Sequence, residues 1–202
     1  MTLKSAAKLL DWTWPYRVWQ APVADRKLAP LFAHNDVRAV RRVLDVGCGP
    51  GTNTRHFAHA DYLGIDYNPR YIAYARRRYR RPFVVADVTT DAVPADARFD
   101  CILVNSLLHH LDTTGARRVL SRLEGLVSAD GHVHILDLVL PQRRSAALLL
   151  ARWDRGDFPR RLDDWYAMFT ERFDPVVFEP YALSALGVAL WHMVYFKGRL
   201  TP

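Results

Sequence analysis

The stretch that decides the predicted fold is Val43-Leu44-Asp45-Val46-Gly47-Cys48-Gly49-Pro50-Gly51-Thr52. Its first four residues are typical of a buried β-strand, and residues 52–59 after the glycines are predicted to be helical. Glycines at such a junction let the backbone turn tightly and approach a ligand with no Cβ in the way. The stretch therefore predicts a strand, a ligand-binding turn and a helix.

Further along the chain, short β-branched runs alternate with helical stretches, which predicts a mainly parallel sheet with crossover helices. The predicted strands are residues 43–46, 62–65, 83–85, 101–104, 132–139, 175–178 and 190–196. A helix should begin at Asn68-Pro69 and continue through the arginine run, and a longer one should begin after Asp112 and end at Gly131. Residues 145–153 and 162–169 are also predicted to be helical. These elements form an α/β fold, a Rossmann-like αβα sandwich with a seven-stranded sheet.

Acidic residues lie at or near the ends of the first three predicted strands. Asp45 lies two residues before Gly47, Asp66 follows Gly47 by nineteen positions, and Asp87 comes after the third strand. A carboxylate at the position of Asp66 can accept hydrogen bonds from both hydroxyls of a ribose. A dinucleotide-binding fold shares this feature, but the glycine spacing here is GxGxG rather than GxGxxG.

This combination resembles the class I S-adenosylmethionine (SAM)-dependent methyltransferases of the small bacterial type. The resemblance covers residues 43–140, and residues 190–196 are similar to the antiparallel seventh strand of that family. It implies that SAM is the cofactor, S-adenosylhomocysteine the product, and that no metal is needed. The residues that it implies for cofactor binding are Asp45, Gly47, Cys48, Gly49, Gly51, Asp66, Tyr67, Asp87, Val88 and Asn105.

The resemblance also implies a role for most of these residues. Asp66 should bind the ribose, and the ring of Tyr67 should lie along the adenine. Asp87 should accept a hydrogen bond from the adenine amino group, while the Val88 amide meets a ring nitrogen. Asn105 should lie beneath the sulfonium.

Methyl transfer requires alignment and exclusion of water, with a base only when the nucleophile carries a proton. His109 and His110 follow the fourth strand, at the edge where ligands bind in such folds. Histidine titrates near neutral pH, so these two residues are the candidate catalytic bases. The alternative interpretation is that one of them packs in the turn and holds it in place.

The chain is predicted to be a single domain over residues 1–202. Residues 1–40 should form a helical N-terminal cover, residues 41–140 the SAM-binding core, and residues 141–202 a substrate cover with the last two strands. Both covers are rich in aromatic residues, which favour an aromatic or hydrophobic small-molecule acceptor. The candidate substrate residues are Tyr16, Trp19, Trp165 and Tyr166.

The chain has 202 residues, a net charge of +7 and a cluster of arginines at residues 76–81. Such a cluster suits a polyanion, so an RNA or protein methyltransferase is one alternative, although cations are also stabilised at a helix C-terminus. A second alternative is a protein that binds SAM without methyl transfer, such as a cyclase, a decarboxylase or a regulatory module. No apolar run reaches the length of a membrane span, so we expect a cytoplasmic protein without stable membrane insertion.

Overall fold

The computed structural model describes residues 25–93, 98–141, 157–185 and 188–201. Within these ranges seven strands form one sheet in the order β3-β2-β1-β4-β5-β7-β6. The strands are β1 (Arg42–Val46), β2 (Asp61–Asp66), β3 (Phe83–Val85), β4 (Phe99–Asn105), β5 (Val127–Leu138), β6 (Phe173–Ala185) and β7 (Val188–Leu200). Strands β1 to β5 are parallel, and β7 is antiparallel to both of its neighbours. The predicted mainly parallel sheet with an antiparallel seventh strand is confirmed.

Helices accompany these strands in the described part of the chain. They are α1 (Ala29–His34), α2 (Pro69–Tyr79), α3 (Thr113–Leu126), α4 (Leu162–Thr170), and the 3₁₀ helices Thr52–Phe57 and Leu108–His110. The side chain of Asn68 accepts a hydrogen bond from the Arg70 N–H, and that of Asp112 from the Gly115 N–H. Each satisfies a backbone donor that the first helical turn leaves without a partner, which is why α2 and α3 begin where the sequence predicted.

Apolar side chains cover both faces of the sheet. On one face the core includes residues of α3 and α4, such as Val119 and Phe169. On the other face it includes residues of α1 and α2, such as Leu31 and Ile72. Helices on both faces give the predicted αβα sandwich and account for the continuously buried stretch of β1.

The prediction that Gly131 ends the helix after Asp112 is wrong. Helix α3 ends at Leu126, and Gly131 lies within β5. The register between β4 and β5 shifts next to Phe99, and a Cβ on Gly131 would approach the Phe99 carbonyl oxygen to 2.7 Å. The glycine therefore permits close approach of two strands rather than a helix end.

Strands β6 and β7 are also longer than predicted, with 13 residues each. Pro175 and Pro180 lie within β6, which is tolerated because β6 is the edge strand of the sheet. The pairing of β6 with β7 continues past Leu138, the last residue of β5. The β6–β7 hairpin therefore projects beyond the carboxyl edge of the parallel strands.

Some predicted elements lie outside the described residues, namely most of the N-terminal cover, with Tyr16 and Trp19, and the helix over residues 145–153.

Residues 52–59 were predicted to be helical, and a 3₁₀ helix covers Thr52–Phe57. No helix in the part of the chain that the structure describes is long and apolar enough to cross a membrane.

Candidate functional site

The glycine turn after β1 has a backbone conformation that L side chains rarely adopt. Gly47, Gly49 and Gly51 have φ values of 70°, 54° and 81°. The N–H groups of Gly47 and Cys48 donate to the carbonyl of Ile65, at 2.8 and 3.0 Å. These two bonds hold the turn against the end of β2, so the turn and the residue after Ile65 are positioned together.

That next residue, Asp66, has a carboxylate in the centre of the candidate site. Oδ2 accepts from the Gly49 N–H at 2.9 Å, and Oδ1 accepts from the Asn68 N–H at 2.8 Å. Burial raises the pKa of Asp66, although these two backbone donors act in the opposite direction. A carboxylate has about four acceptor positions, so both oxygens can accept a further hydrogen bond from a ligand hydroxyl.

Asp45 lies beneath the turn and is fully buried. The Tyr62 hydroxyl donates to its Oδ2 at 2.6 Å, and the Asn53 amide donates to the same oxygen at 3.1 Å. Burial raises the pKa of Asp45 to about 6. The sequence analysis did not identify Asn53 or Tyr62, although both lie close to the glycine turn. These hydrogen bonds fix Asp45 under the glycine turn, so its side chain supports the turn.

The side chain of Cys48 is also buried, and burial raises the pKa of its thiol. Its backbone N–H is already hydrogen-bonded to Ile65. Gly47 and Gly51 are packed against protein as well, because an added Cβ would lie 3.0 Å from atoms of Leu107 and of Phe83, respectively. Within the described residues, Gly47, Cys48 and Gly51 therefore help to determine the shape of the turn.

The residues expected on the adenine side lie at the ends of β2 and β3. Tyr67 is 70% exposed, whereas Val88 is buried. Oδ1 of Asp87 accepts from the N–H and the hydroxyl of Thr89, at 2.8 and 2.6 Å. This turn holds the Asp87 carboxylate at the carboxyl edge of the sheet, on the same edge as Asp66.

At the tip of β4, Asn105 is followed by Ser106, a non-glycine residue with a φ of 56°. The Ser106 hydroxyl donates to Oδ1 of Asn105 at 3.2 Å, and Lys27 Nζ donates to Ser106 Oγ at 3.1 Å. The Tyr181 hydroxyl of β6 donates to the Lys27 carbonyl at 2.8 Å. A cation is therefore held beside Asn105, and no local sequence pattern could have identified it.

The two candidate catalytic histidines have different surroundings. His109 is buried, and its Nδ1 lies 2.6 Å from Oδ1 of Asp137, which is fully buried near the end of β5. Oδ2 of Asp137 accepts from the Leu108 N–H at 2.8 Å, and Oδ1 also accepts from the Leu138 N–H at 2.7 Å. Burial alone would raise the pKa of Asp137, but His109 and the two backbone donors lower it below its ordinary value. Asp137 is thus a carboxylate that accepts a hydrogen bond from His109 Nδ1–H.

Arg160 holds the same turn from the other side. Its guanidinium donates to the Leu108 carbonyl at 3.1 Å and to the Leu111 carbonyl at 2.8 Å. It lies 4.8 Å above the ring of Trp165, whose Nε1 donates to the Leu138 carbonyl. Arg160 was not identified from the sequence, where it is one of many arginines.

A cavity of about 370 Å³ opens beside this turn and is lined by His110, Thr89, Arg118 and Phe158, among others. His110 is exposed, in contrast to His109. Of the two described substrate candidates, Trp165 is fully buried, and only Tyr166 has a large exposed surface. Among the described residues, no three or more His, Cys, Asp or Glu side chains are placed to hold a metal ion.

Comparisons with known proteins agree with this geometry. A family profile described as "Methyltransferase domain" matches residues 43–131. The chain is 34% identical over 116 residues to a protein of Mycobacterium bovis named as an uncharacterized methyltransferase, which is 55% of this chain and 57% of that protein. It is 34% identical over 109 residues to trans-aconitate 2-methyltransferase of Methylobacterium nodulans, 50% of this chain and 42% of that enzyme. The chain thus spans about half the length of these relatives.

A solved structure has a similar fold. It is the N-methyltransferase NodS of Bradyrhizobium japonicum in complex with S-adenosylhomocysteine, with a TM-score of 0.75 and 21% identity. The match covers 98% of each chain.

Proposed function

We propose that this chain, whose residues 43–131 form a methyltransferase domain of the class I SAM-dependent kind, transfers a methyl group from SAM to O, N or C of a small molecule. The observation that carries the proposal is the buried Asp66 carboxylate, hydrogen-bonded to the Gly49 N–H at 2.9 Å. It lies at the carboxyl edge of a parallel sheet, where α/β folds bind their ligands.

The residues at this edge fit SAM. Asp66 would hold the ribose hydroxyls, because each of its oxygens has an acceptor position left. Asp87 and Val88 would hold the adenine, with the ring of Tyr67 along it, and the glycine turn would hold the methionine part. When bound, SAM supplies an activated methyl group, so the chain contributes alignment and exclusion of water.

We assign different roles to the two histidines. The hydrogen bond between His109 and Asp137 orients the turn after β4, so His109 acts as a positioning residue. His110 lines the open cavity and takes the proton when the nucleophile of the acceptor carries one. Both assignments follow from the burial of His109 and the exposure of His110.

Apolar residues at the base of the β6–β7 hairpin support an acceptor with an apolar part. Leu138, Leu183 and Met193 form a small buried cluster where the β6–β7 hairpin leaves the sheet, with Trp191 packed against it. Lys27, which donates to Ser106 Oγ, adds a positive charge beside Asn105. One relative is named for trans-aconitate, which is a small molecule, and the similar solved structure is named for N-methylation.

The arginine run at residues 76–81 supports an RNA acceptor less well than the site at the carboxyl edge supports a small molecule. Nε of Arg76 donates to the Phe83 carbonyl at 2.7 Å, and Arg81 donates to the Ala60 carbonyl at 3.0 Å. These two guanidinium groups are therefore engaged at the end of α2, while Arg77, Arg78 and Arg80 are exposed. A small-molecule acceptor remains our proposal.

The test has two stages. Calorimetric titration should detect saturable binding of SAM and S-adenosylhomocysteine to the wild-type protein, and Asp66→Ala should weaken both. Incubation with labelled SAM and cell extract should then give a labelled product of low molecular mass, identified by mass spectrometry. Labelled RNA or protein would favour the polyanion alternative, whereas tight SAM binding with no labelled product would contradict methyl transfer.

A further inference from the structure

A second cavity, of about 350 Å³, lies at the amino edge of the sheet, on the opposite side from the glycine turn. Residues 34–41 form one of its walls, and β4, β5 and β7 contribute the other through Cys101, His132, His134 and Lys197. None of the residues assigned to SAM or to the acceptor lines it. We call it the amino-edge cavity.

A chain of hydrogen bonds determines which hydrogen-bond donors and acceptors this cavity presents to a ligand. The Asn35 amide donates to the Leu31 carbonyl at 2.7 Å and to the Tyr195 hydroxyl oxygen at 2.8 Å. Because a carbonyl only accepts, the first bond fixes the orientation of the amide. The Tyr195 oxygen therefore accepts from Asn35, and Nδ1 of His134 lies 3.0 Å from the same hydroxyl.

The proton between Tyr195 and His134 can be placed by elimination. Burial raises the pKa of Tyr195, so its hydroxyl keeps its proton, and Nδ1 of His134 is its one acceptor among the described residues. Burial also lowers the pKa of His134 to about 3, so its imidazole is neutral. A neutral imidazole that accepts at Nδ1 carries its proton on Nε2. His134 is thus a buried donor at the wall of the cavity.

Lys197 adds a positive charge beside this donor. It is the cross-strand neighbour of His134 in the pairing of β5 with β7, and it makes no ion pair with any residue that the structure describes. The nearest acidic residue of β4, Asp100, is engaged, because its two oxygens accept from the N–H groups of Arg41 and Arg42, each at 2.9 Å. The inner wall therefore presents a donor and a cation, and it also carries the carboxylate of Asp130, while Asp36 lines the opposite wall.

The opposite wall of the cavity is partly apolar, through Leu31, Val37 and Val40. The volume of the amino-edge cavity is at the lower end of the range of about 300–1,000 Å³ that is usual for small-molecule sites. We propose that the amino-edge cavity is a second ligand site that binds a small organic anion, with its carboxylate or phosphate group between Lys197 Nζ and His134 Nε2–H. The apolar wall would contact the carbon part of the ligand.

Nuclear magnetic resonance of the full chain with ¹⁵N-labelled histidine tests this proposal. Inorganic phosphate and succinate serve as the probes for the two anion types, and dimethyl succinate is the neutral control of similar shape. We expect at least one of the anions to shift the ring signals of His134 saturably, and dimethyl succinate to have no effect. Which anion binds more tightly will distinguish a phosphate site from a carboxylate site.

Variants show whether Lys197 supplies the charge. Lys197→Met should weaken anion binding at least tenfold, and Lys197→Arg should retain most of it. Arg77→Met removes the same charge from the distant helix α2 and should leave the dissociation constant within about twofold, because screening limits the effect of remote exposed charges. If Lys197→Met does not fold, Lys197→Gln provides the same test with a polar side chain.

Two results would overturn the proposal: no saturable shift of His134 with either anion, or binding that Lys197→Met or Lys197→Gln leaves unchanged. SAM titration of the same samples keeps this test separate from the proposed function. Loss of SAM binding with an intact anion response would contradict the methyltransferase assignment alone.

Discussion

The hydrogen bond between His109 and Asp137 leads to a prediction with a defined magnitude. Asp137 is fully buried, and its carboxylate accepts from His109 Nδ1, 2.6 Å away, and from two backbone N–H groups. His109→Leu leaves this buried charge without its side-chain donor. Removing the partner of a buried charge costs about 3–5 kcal/mol, because the charge is left uncompensated. For a protein of this size, we expect a melting temperature lower by about 6–20 °C.

A matched variant isolates the hydrogen bond from the loss of the ring. In His109→Asn, the amide nitrogen takes nearly the position of Nδ1 and can still donate to Asp137. This variant should therefore recover more than half of the stability that His109→Leu loses. His110→Gln changes the exposed neighbour and should alter the free energy of unfolding by no more than about 0.5 kcal/mol.

Urea unfolding followed by circular dichroism measures these differences, provided that all variants have the same dependence on urea. The pH dependence supplies a second measurement. The pKa of Asp137 is lowered in the folded protein, so the stabilisation is complete above its unfolded pKa of about 4 and is lost as the pH falls through the folded value. The difference between wild type and His109→Leu should accordingly be fully present above about pH 4 and shrink at more acidic pH.

A free energy of unfolding for His109→Leu within about 0.5 kcal/mol of the wild type, the range typical of surface substitutions, would contradict this role of His109. The same holds if His109→Asn is no more stable than His109→Leu, because the hydrogen bond would then contribute nothing. In either case, His109 would no longer be the residue that positions the turn.

Three further predictions concern ligand binding and turnover. Asp66→Ala should weaken SAM binding by about 1.5–3 kcal/mol, the scale of losing charge-assisted hydrogen bonds, and calorimetry that finds an unchanged affinity would remove Asp66 from the site. His110→Gln should lower kcat by about 10²–10⁴-fold while SAM affinity and melting temperature stay close to wild type, if the acceptor loses a proton to this residue. Near-normal kcat in steady-state assays would argue for an acceptor that ionises unaided. Changing Arg77 and Arg78 together to Gln should keep turnover of a small acceptor within about twofold, because exposed charges are screened. A large loss that low salt restores would instead indicate a polyanionic acceptor.

The parts of the molecule that were predictable are those that depend on neighbouring residues. The glycine turn, the position of Asp66 and the caps Asn68 and Asp112 each follow from a pattern a few residues long, which acts through backbone conformation and local hydrogen bonds. The alternation of strand-like and helical stretches likewise predicted the mainly parallel sheet, because each stretch is defined by the pattern of its own residues. The failure at Gly131 also has a local cause, because glycine is common both after helices and where strands approach closely.

Contacts between distant segments needed the tertiary structure. Sequence alone put Asp137 near the end of a strand, but its pairing with His109, 28 positions away, arises because β4 and β5 are neighbours in the sheet. Arg160 reaches the Leu108 carbonyl across 52 positions, and Lys27 reaches Ser106 across 79. Side-chain pairs of this kind leave no periodic pattern in the sequence, because they depend on strand order and on how helices pack over the sheet. From its sequence the chain could be predicted to have a Rossmann-like fold with a ligand-binding glycine turn, whereas only the tertiary structure distinguished the buried His109 from the exposed His110.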